Sequence, residues 1–227
     1  MENFYITSDL HFFHKNIIKY CNRPYELDPN DGEKTKSSIL KMNEDILAEF
    51  DKLPPNSTVL NLGDLMLARG KTFEEVKRLV DRMKANNKSL WIVLGNHDRD
   101  LHKLLKNQSY ENAVDLFAAL GFDRVYDNPF KMDDIYFTHE PFYSLGLKIT
   151  HGHTHDKDID ANYFNHSCDN WAMVQRVLEA DNIKAEVDTS ENLSGLEVNP
   201  KHYFNVCWDK HHRILNFNEV LNYFSRF

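Results

Sequence analysis

Short runs of apolar residues recur along the chain and stop at small or polar residues. Phe4 to Thr7, Thr58 to Leu62 and Leu90 to Leu94 are the clearest of these runs. Apolar runs of this length are typical of strands that are covered on both faces of a parallel sheet. Further strands are predicted at residues 124–126, 135–138, 147–150 and 203–208. The short, turn-rich gap around Asn128-Pro129 predicts that strands 124–126 and 135–138 pair antiparallel.

The segments between these runs carry apolar residues at helical spacing. The clearest helix is predicted at residues 72–83, where Thr72 and Glu75 have the spacing of a capping box. Other helices are predicted at residues 15–20, 39–50, 109–120 and 217–224. Residues 27–36 are predicted to form a loop, because Asp-Pro and Asp-Gly steps favour turns. The alternation of strands and helices predicts parallel pairing, so the Gly63 and Gly95 loops are expected to lie together.

Possible metal ligands follow five of the predicted strands at their carboxyl ends. They are Asp9 and His11, Asp64, Asn96 to Asp98, His139, and the imidazoles of His151, His153 and His155. On extended backbone, residues two apart share a face, so Asp9 is expected beside His11, and the last three imidazoles are expected on one side. Each motif alone is common by chance. The cluster of three histidines is not explained by packing, and metal binding is the favoured reason for it.

Composition and charge exclude several other classes. A chain of 227 residues with 41% hydrophobic and 12% aromatic content suits one folded domain. The net charge of -8 disfavours binding to long duplex nucleic acid. The three cysteines form no CxxC motif, so neither a disulfide framework nor a thiolate zinc site is expected. The absence of a leader-like start or a long apolar span predicts a cytoplasmic protein without membrane contact.

Taken together, the motifs resemble the five signature blocks of the calcineurin-like metallophosphoesterase superfamily. The blocks are Asp9-x-His11, Gly63-Asp64, Gly95-Asn96-His97-Asp98, His139 and Gly152-His153-x-His155, and they occur in the family's order. The stretch from Ser8 to Pro24 further resembles a small bacterial and phage branch of the superfamily. The resemblance implies an α+β (α/β-like) fold, a four-layer αββα sandwich, with a centre of two divalent metal ions.

The resemblance also implies a set of metal ligands. Asp9, His11 and His155 would hold the first ion, Asn96, His139 and His153 the second, and Asp64 would bridge the two. Carboxylate, amide and imidazole donors without a thiolate suit Mn²⁺ first, with Fe, Zn²⁺ or Ni²⁺ as alternatives. In this family, two such ions share an attacking hydroxide that hydrolyses phosphate mono- or diesters.

Other residues are assigned roles around the reacting phosphate. The resemblance implies that His97 does not bind a metal but assists the leaving group. Asp98 is a candidate for orienting His97, and both are predicted to be catalytic. His14 and Arg23 are predicted to contact the substrate, because guanidinium donors match phosphate oxygens. His151 is expected either to be structural or to hold a neighbouring ligand in place.

One departure from the family pattern bears on the substrate. Protein phosphatases of this superfamily carry GDxxDRG, whereas here Leu67 replaces the aspartate that supports the catalytic histidine. This difference disfavours a protein substrate and favours a phosphoester of a small molecule or nucleotide. The alternatives are a nuclease or nucleic-acid end-processing phosphatase and a non-catalytic, metal-bound scaffold. Every ligand position is filled, which disfavours the scaffold.

The sequence contains no repeats, low-complexity tracts or linker-like segments that would divide it into domains. We expect a single domain over residues 1–227, with an insertion or cap at about residues 156–200. That segment is mostly polar and contains few basic residues, which disfavours a groove for nucleic acid. A helix is possible around Val174 and Val177. The sequence does not indicate an oligomeric state.

Overall fold

In a computed structural model of the protein, two β-sheets lie face to face at the centre of the molecule. The structure describes residues 3–106, 110–159, 163–164, 173–177, 179 and 198–227. Sheet I has the order β4-β3-β2-β1-β9. Its strands are β1 (Phe4–Thr7), β2 (Thr58–Asn61), β3 (Ser89–Val93), β4 (Arg124–Tyr126) and β9 (Leu215–Asn216). β1, β2 and β3 are parallel to one another, as predicted, whereas β4 runs parallel to β3 and β9 runs antiparallel to β1.

Sheet II corrects the predicted pairing of the middle strands. It has the order β5-β6-β7-β8, with strands β5 (Phe130–Met132), β6 (Ile135–Thr138), β7 (Lys148–His151) and β8 (Tyr203–Asn205). The prediction that β4 pairs with β6 is wrong, because Val125 of β4 pairs with Ile92 in sheet I. The antiparallel partner of β6 is β5, a short strand that the sequence pattern did not reveal because Lys131 interrupts its apolar residues.

Helices connect the strands and cover sheet I. They are α1 (Ile17–Tyr20), α2 (Gly32–Asp51), α3 (Phe73–Met83), α4 (Asn96–Arg99), α5 (Leu101–Leu104), α6 (Ala113–Leu120), α7 (Trp208–His211) and α8 (Phe217–Phe224). The predicted capping box of Thr72 and Glu75 is confirmed. α6 begins at Ala113, after an Asn112 cap, rather than at the predicted residue 109, which lies outside the described residues.

The boundary of α2 is a second correction. Residues 32–36 were predicted to belong to a loop, yet they form the first turn of α2. The Asp31 side chain accepts hydrogen bonds from the backbone N–H groups of Glu33 and Lys34 at 3.0 and 2.9 Å. This cap satisfies amide groups that a helix start leaves unpaired, so a polar, exposed turn can still be helical.

The alternation of side chains across sheet I builds two apolar layers. Val59 and Ile92 point toward the helices and pack in a cluster with residues of α2, α3 and α6. Ile6 and Leu60 point the other way, into a cluster with Phe137 of sheet II. Because side chains alternate along a strand, one sheet can serve both layers, and its carboxyl edge is held rigidly between them.

The outer face of sheet II is also covered. Tyr136, Ile149 and Tyr203 pack there against Phe164, Val174 and Val177. The result is a layered α+β fold, as the sequence predicted. Residues 160–162, 165–172, 178 and 180–197 lie outside the described part of the chain, so the insertion or cap at 156–200 stays a prediction, as does the single domain. Among the described helices, none combines the length and apolar character needed to cross a membrane.

Candidate metal centre

The carboxyl ends of β1, β2, β3, β6 and β7 meet at one edge of the paired sheets. The loops that follow them carry all seven predicted metal ligands, listed by strand as Asp9 and His11, Asp64, Asn96, His139, His153 and His155. Glycine permits this convergence: a Cβ on Gly95 would lie 2.3 Å from the Asp64 Oδ1 atom, and Gly63 has φ of +92°. The Gly63 and Gly95 loops are therefore in contact, as predicted.

The predicted metal ligands form two adjacent groups. Asp9, His11 and His155 bring one donor atom each to within 4.8 Å of one another, and so do Asp64, His139 and His153. The Asn96 Oδ1 atom lies 3.1 Å from His139 Nε2, on the side of the second group. The two groups match the two sets of ligands that the resemblance implied.

Asp64 lies between the two groups. Its Oδ2 atom is 3.6 Å from His11 Nε2, and its Oδ1 atom is 3.5 Å from His139 Nε2. One carboxylate oxygen therefore faces each group. This placement suits a carboxylate that contacts two cations, which is the role implied for Asp64 in the sequence.

The position of Asp9 tests whether these residues fit a metal ion. Its Oδ2 atom accepts hydrogen bonds from Ser8 Oγ at 2.6 Å, His153 N at 2.9 Å and Cys207 Sγ at 3.1 Å. Its Oδ1 atom and the His11 Nε2 atom are buried without a hydrogen-bond partner among the described residues. An unpaired buried polar atom is costly, and a cation would satisfy both atoms. The residues present therefore fit a divalent metal.

The backbone at the ligands is a feature that the sequence did not reveal. Asp9, His11, Asp64, His153 and His155 all have positive φ, between 51° and 65°. The expectation of extended backbone is therefore wrong for Asp9, His11, His153 and His155, whereas His151 does lie in a strand, β7. Left-handed backbone costs L-residues about 1–2 kcal/mol each, although Asp and His tolerate it better than most. Such conformations concentrate at functional sites, where surrounding contacts hold them.

Burial keeps several of the imidazoles neutral, the form that binds metals. Burial, followed by the charge of Arg23, lowers the pKa of His11 well below its usual value. Burial and the neighbouring His139 lower the pKa of His153. Burial also acts to lower the pKa of His139, but the carboxylates of Asp64 and Asp9 outweigh it and raise that pKa. Its Nδ1 atom lies 2.7 Å from the Leu62 carbonyl and donates to it, which leaves Nε2 directed at the ligand group.

His97 and His14 flank the first group on its open side. The His97 ring lies 5.3 Å from the His11 ring, and the His14 ring lies 5.1 Å from it, between ring centres. The His97 side chain is 33% exposed. The His97 backbone N–H donates to Asp64 Oδ1 at 2.9 Å, which fixes the loop that carries the ring. Burial, then His97, lowers the pKa of His14 to about 4. These residues lie where the sequence placed them, beside the cluster.

Asp98 does not orient His97. Its side chain is buried, and its two oxygens accept hydrogen bonds from the backbone N–H groups of Leu65 and Gly95, each at 3.0 Å. Burial, followed by the charge of Asp64, raises the pKa of Asp98 to about 7. Adjacent residues in the turn of α4 point in different directions, so Asp98 ties the Gly63 and Gly95 loops together instead. The predicted catalytic role is not supported.

Arg23 does not reach the open side of the cluster either. Its side chain is 1% exposed and pairs with Asp209, with Nε 2.7 Å from Oδ1 and Nη2 3.0 Å from Oδ2. The remaining N–H groups donate to the carbonyls of Leu10 and Asp9, both at 2.9 Å, and to Met42 Sδ at 3.5 Å. All five donors have acceptors, so the prediction that Arg23 binds phosphate is wrong.

Three polar residues that contact the predicted ligands were not predicted from the sequence. Ser8 and Cys207 donate to Asp9, and Asp209 accepts from His155 Nδ1 at 2.7 Å. Burial acts to lower the pKa of His155, but the hydrogen bonds with Asp209 and Cys21 outweigh it and raise that pKa to about 10. The available signal was position, because Cys207 and Asp209 follow β8 at the same edge of the sheets. His151 is buried, with Nδ1 bonded to the Gly152 carbonyl.

A cleft of about 480 Å³ opens onto the cluster. His11, His14, Asp64, Asn96 and His97 line its floor and sides, and Tyr20 and Lys157 lie at its rim. Tyr20 is 70% exposed. A molecule in this cleft would therefore contact the ligating groups, two additional imidazoles and one exposed aromatic ring.

The family model for calcineurin-like phosphoesterases matches residues 3–210 of this chain. The chain belongs to the calcineurin-like phosphoesterase family. The match spans every loop that carries a predicted ligand. Members of this family typically bind divalent metals, and the His and Asp groups described above could hold such ions.

Individual relatives add little about function. Uncharacterized protein MJ1445 of Methanocaldococcus jannaschii is 31% identical over 100 residues, which cover 44% of this chain and 48% of that protein. The chain thus matches about half the length of this curated relative. The protein of unknown function AQ665 from Aquifex aeolicus shares the fold, with a TM-score of 0.54, 18% identity, and coverage of 96% of this chain and 97% of that one.

A nuclease was also found among the solved structures. Pseudomonas putida nuclease MPE is 18% identical, and the match covers 68% of this chain and 62% of that one, with a TM-score of 0.40. A likeness at this level supports no inference about the substrate of the present protein.

Proposed function

We propose that the protein is a dinuclear-metal phosphoesterase that hydrolyses phosphate mono- or diesters of a small molecule, with nucleotides as the favoured class. The observation that carries this proposal is the pair of orphaned atoms, Asp9 Oδ1 and His11 Nε2. Both are buried beside Asp64, and the family to which the chain belongs acts on phosphoesters. A cation would satisfy both atoms at the floor of an open cleft.

Two groups of side chains would hold the metal ions. Asp9, His11 and His155 form the first group, and His139, His153 and Asn96 form the second, with Asp64 between them. When bound, two divalent ions supply a nucleophile from water at neutral pH and neutralise charge on the phosphoryl oxygens. The mixture of oxygen and imidazole donors favours Mn²⁺, with Fe, Zn²⁺ or Ni²⁺ as alternatives.

His97 is the residue proposed to assist the leaving group. Its ring is one-third exposed at the cleft, and its backbone is anchored to Asp64. A ring in this position reaches a bound ester and is also in contact with water. It can therefore donate a proton to the leaving oxygen, or stabilise the charge that develops there.

His14 is proposed to hold the substrate phosphate as a neutral donor. Its Nδ1 atom faces His11 Nδ1 at 3.2 Å, and one of these nitrogens must donate to the other. If His11 binds a metal through Nε2, its Nδ1 carries the hydrogen, and His14 Nδ1 is the acceptor. The hydrogen of the neutral His14 ring then resides on Nε2, which is available to a phosphoryl oxygen.

The rim of the cleft supports an ester with a planar group. Tyr20 is 70% exposed at the rim, and its ring lies 6.4 Å from that of His14. An exposed aromatic face can stack on a nucleobase, a contact worth about 1–3 kcal/mol per base. The net charge of -8 gives no general attraction to long nucleic acid, so a small nucleotide ester fits better than a duplex.

Metal analysis paired with turnover tests this proposal. The purified chain is loaded with Mn²⁺, dialysed, and assayed with p-nitrophenyl phosphate and bis-p-nitrophenyl phosphate. We expect about two metals per chain and hydrolysis of at least one ester, and the preferred ester identifies mono- or diesterase chemistry. Asp64→Asn should lose metal and turnover. Asp81→Asn, on the exposed face of α3, is the matched control and should retain both.

Two outcomes would contradict the proposal. A protein that takes up no metal in excess Mn²⁺ would refute the ligand assignment. A protein that holds two metals, yet hydrolyses neither these esters nor a panel of nucleotides, would refute the assignment as an enzyme and favour a metal-bound scaffold.

A further inference from the structure

Arg23 and Asp209 form a buried ion pair next to the first ligand group. Their side chains are 1% and 2% exposed, and two hydrogen bonds join the guanidinium to the carboxylate. Burying two charges carries a desolvation cost that their attraction often fails to recover. Stability alone is therefore a poor explanation for this pair, and its other contacts show what it holds.

The guanidinium holds the turn that carries two of the ligands. Arg23 Nη2 donates to the Asp9 carbonyl and Nη1 donates to the Leu10 carbonyl, both at 2.9 Å. These carbonyls belong to the turn in which Asp9 and His11 have φ of 57° and 54°. Because left-handed residues need surrounding contacts to stay in place, Arg23 fixes the direction in which Asp9 and His11 present their side chains.

The carboxylate holds the third ligand of the same group. Asp209 Oδ2 accepts a hydrogen bond from His155 Nδ1 at 2.7 Å, while His155 Nε2 lies 3.9 Å from Asp9 Oδ1. A carboxylate at one nitrogen of an imidazole fixes the ring so that the other nitrogen can bind a metal. Asp209 therefore directs His155 toward the orphaned oxygen of Asp9.

We propose that Arg23 and Asp209 are a positioning pair for the first metal ion and do not serve the second. This inference rests on the proposed function. The pair joins three segments that are distant in sequence: Arg23 holds the turn after β1, and Asp209, which belongs to α7, holds the loop after β7 through His155. The second group has side-chain support of its own, since His139 Nδ1 donates to the Leu62 carbonyl, and its link to the pair is indirect, through the Asp9 Oδ2 atom that accepts from the His153 backbone N–H.

The geometry requires arginine rather than any cation. Lysine has three donors on a single nitrogen and cannot satisfy a carboxylate side-on while also holding two carbonyls. Arg23→Lys therefore keeps the charge and loses the fork. Asp209→Asn keeps the size of the side chain and loses the charged acceptor for His155.

Calorimetric titration of the metal-free, full-length chain with Mn²⁺ tests the inference. In the wild type, we expect two binding events. In Arg23→Lys and Asp209→Asn, one event should weaken by about 10- to 100-fold while the other is unchanged. Raising the Mn²⁺ concentration should restore kcat in both variants, which a general loss of structure would not allow. Arg82→Lys, which alters an ion-paired arginine on the surface of α3, is the matched control and should titrate like the wild type.

Several results would overturn the inference. Equal weakening of both events, or wild-type titration in both variants, would show that the pair does not serve the first site selectively. If Arg23→Lys fails to fold, as judged by circular dichroism, Asp209→Asn decides the question. If the wild type binds no metal, the proposed function is refuted as well. If the wild type binds two metals and turns over, and the variants bind metal as tightly as the wild type does, only the positioning role is refuted.

Discussion

The substitution Gly152→Ala probes how tightly the ligand loops are packed. A Cβ at this position would lie 2.0 Å from Ser8 Oγ, 2.9 Å from Ser8 Cβ and 2.7 Å from Asp9 Oδ2. Ser8 is fully buried and cannot swing into solvent. Overpacking of this kind costs about 1–3 kcal/mol, and losing the Ser8 hydrogen bond to the Asp9 carboxylate adds about 1.5–3 kcal/mol. We therefore expect the free energy of unfolding to fall by roughly 2.5–6 kcal/mol.

The measurement is urea denaturation in the presence of a chelator, followed by metal analysis of the folded variant. Displacing Asp9 should also weaken the first metal site. Gly32→Ala is the matched control: a Cβ there meets nothing within 4 Å, and Gly32 is the first residue of α2. Alanine at a helical position should leave stability unchanged or raise it by up to about 1 kcal/mol. If Gly152→Ala unfolds at the same urea concentration as Gly32→Ala and still binds metal, the packing argument is refuted.

Three further predictions concern the imidazoles and the rim of the cleft. His97→Ala should lower kcat by roughly 10²–10⁴-fold and leave metal content intact; a metal-free variant would instead make His97 a ligand. Burial lowers the pKa of His151 to about 4, so the metal-free protein disfavours the charged ring. Because the unfolded chain protonates this ring more readily than the folded protein does, the free energy of unfolding should be highest above about pH 6.5. It should fall by up to roughly 3 kcal/mol as the pH falls toward 4. Urea midpoints at pH 7 and 4.5 should differ less in His151→Gln than in the wild type or in an exposed control, His212→Gln. Tyr20→Ala should raise KM for nucleotide esters but not for alkyl phosphates, as steady-state kinetics would show, and an equal effect on both classes would exclude stacking.

The sequence predicted the parallel strands and the positions of the ligands for one physical reason. An apolar run such as Leu90 to Leu94 is buried on both sides when it forms a strand in a covered parallel sheet, and the carboxyl ends of parallel strands share an edge. The order of Asp9, Asp64, Asn96, His139 and the later histidines then places them together. The family match agrees with this interpretation.

The roles of Asp98 and Arg23 could not be predicted in the same way. Asp98 is adjacent to His97 and Arg23 lies in the stretch from Ser8 to Pro24, but the direction of a side chain in a turn depends on local backbone angles that residue spacing does not reveal. Asp98 turns inward to the Leu65 and Gly95 amides, and Arg23 turns inward to Asp209, a partner 186 residues away. Partners at that separation have no signature in a single sequence.

The left-handed residues explain why the cluster depends on so many buried contacts. Positive φ at Asp9, His11 and Asp64 takes these residues out of the extended conformation, so the directions of their side chains depend on the contacts that hold the turns. The backbone cost of this arrangement, about 1–2 kcal/mol per residue, must be offset by the polar contacts around it. Ser8, Cys207 and the Arg23–Asp209 pair supply such contacts on the protein side, and they leave the Asp9 Oδ1 atom unsatisfied. The fold therefore holds the proposed ligands in advance, and a cation bound there would complete the set of contacts instead of creating the geometry.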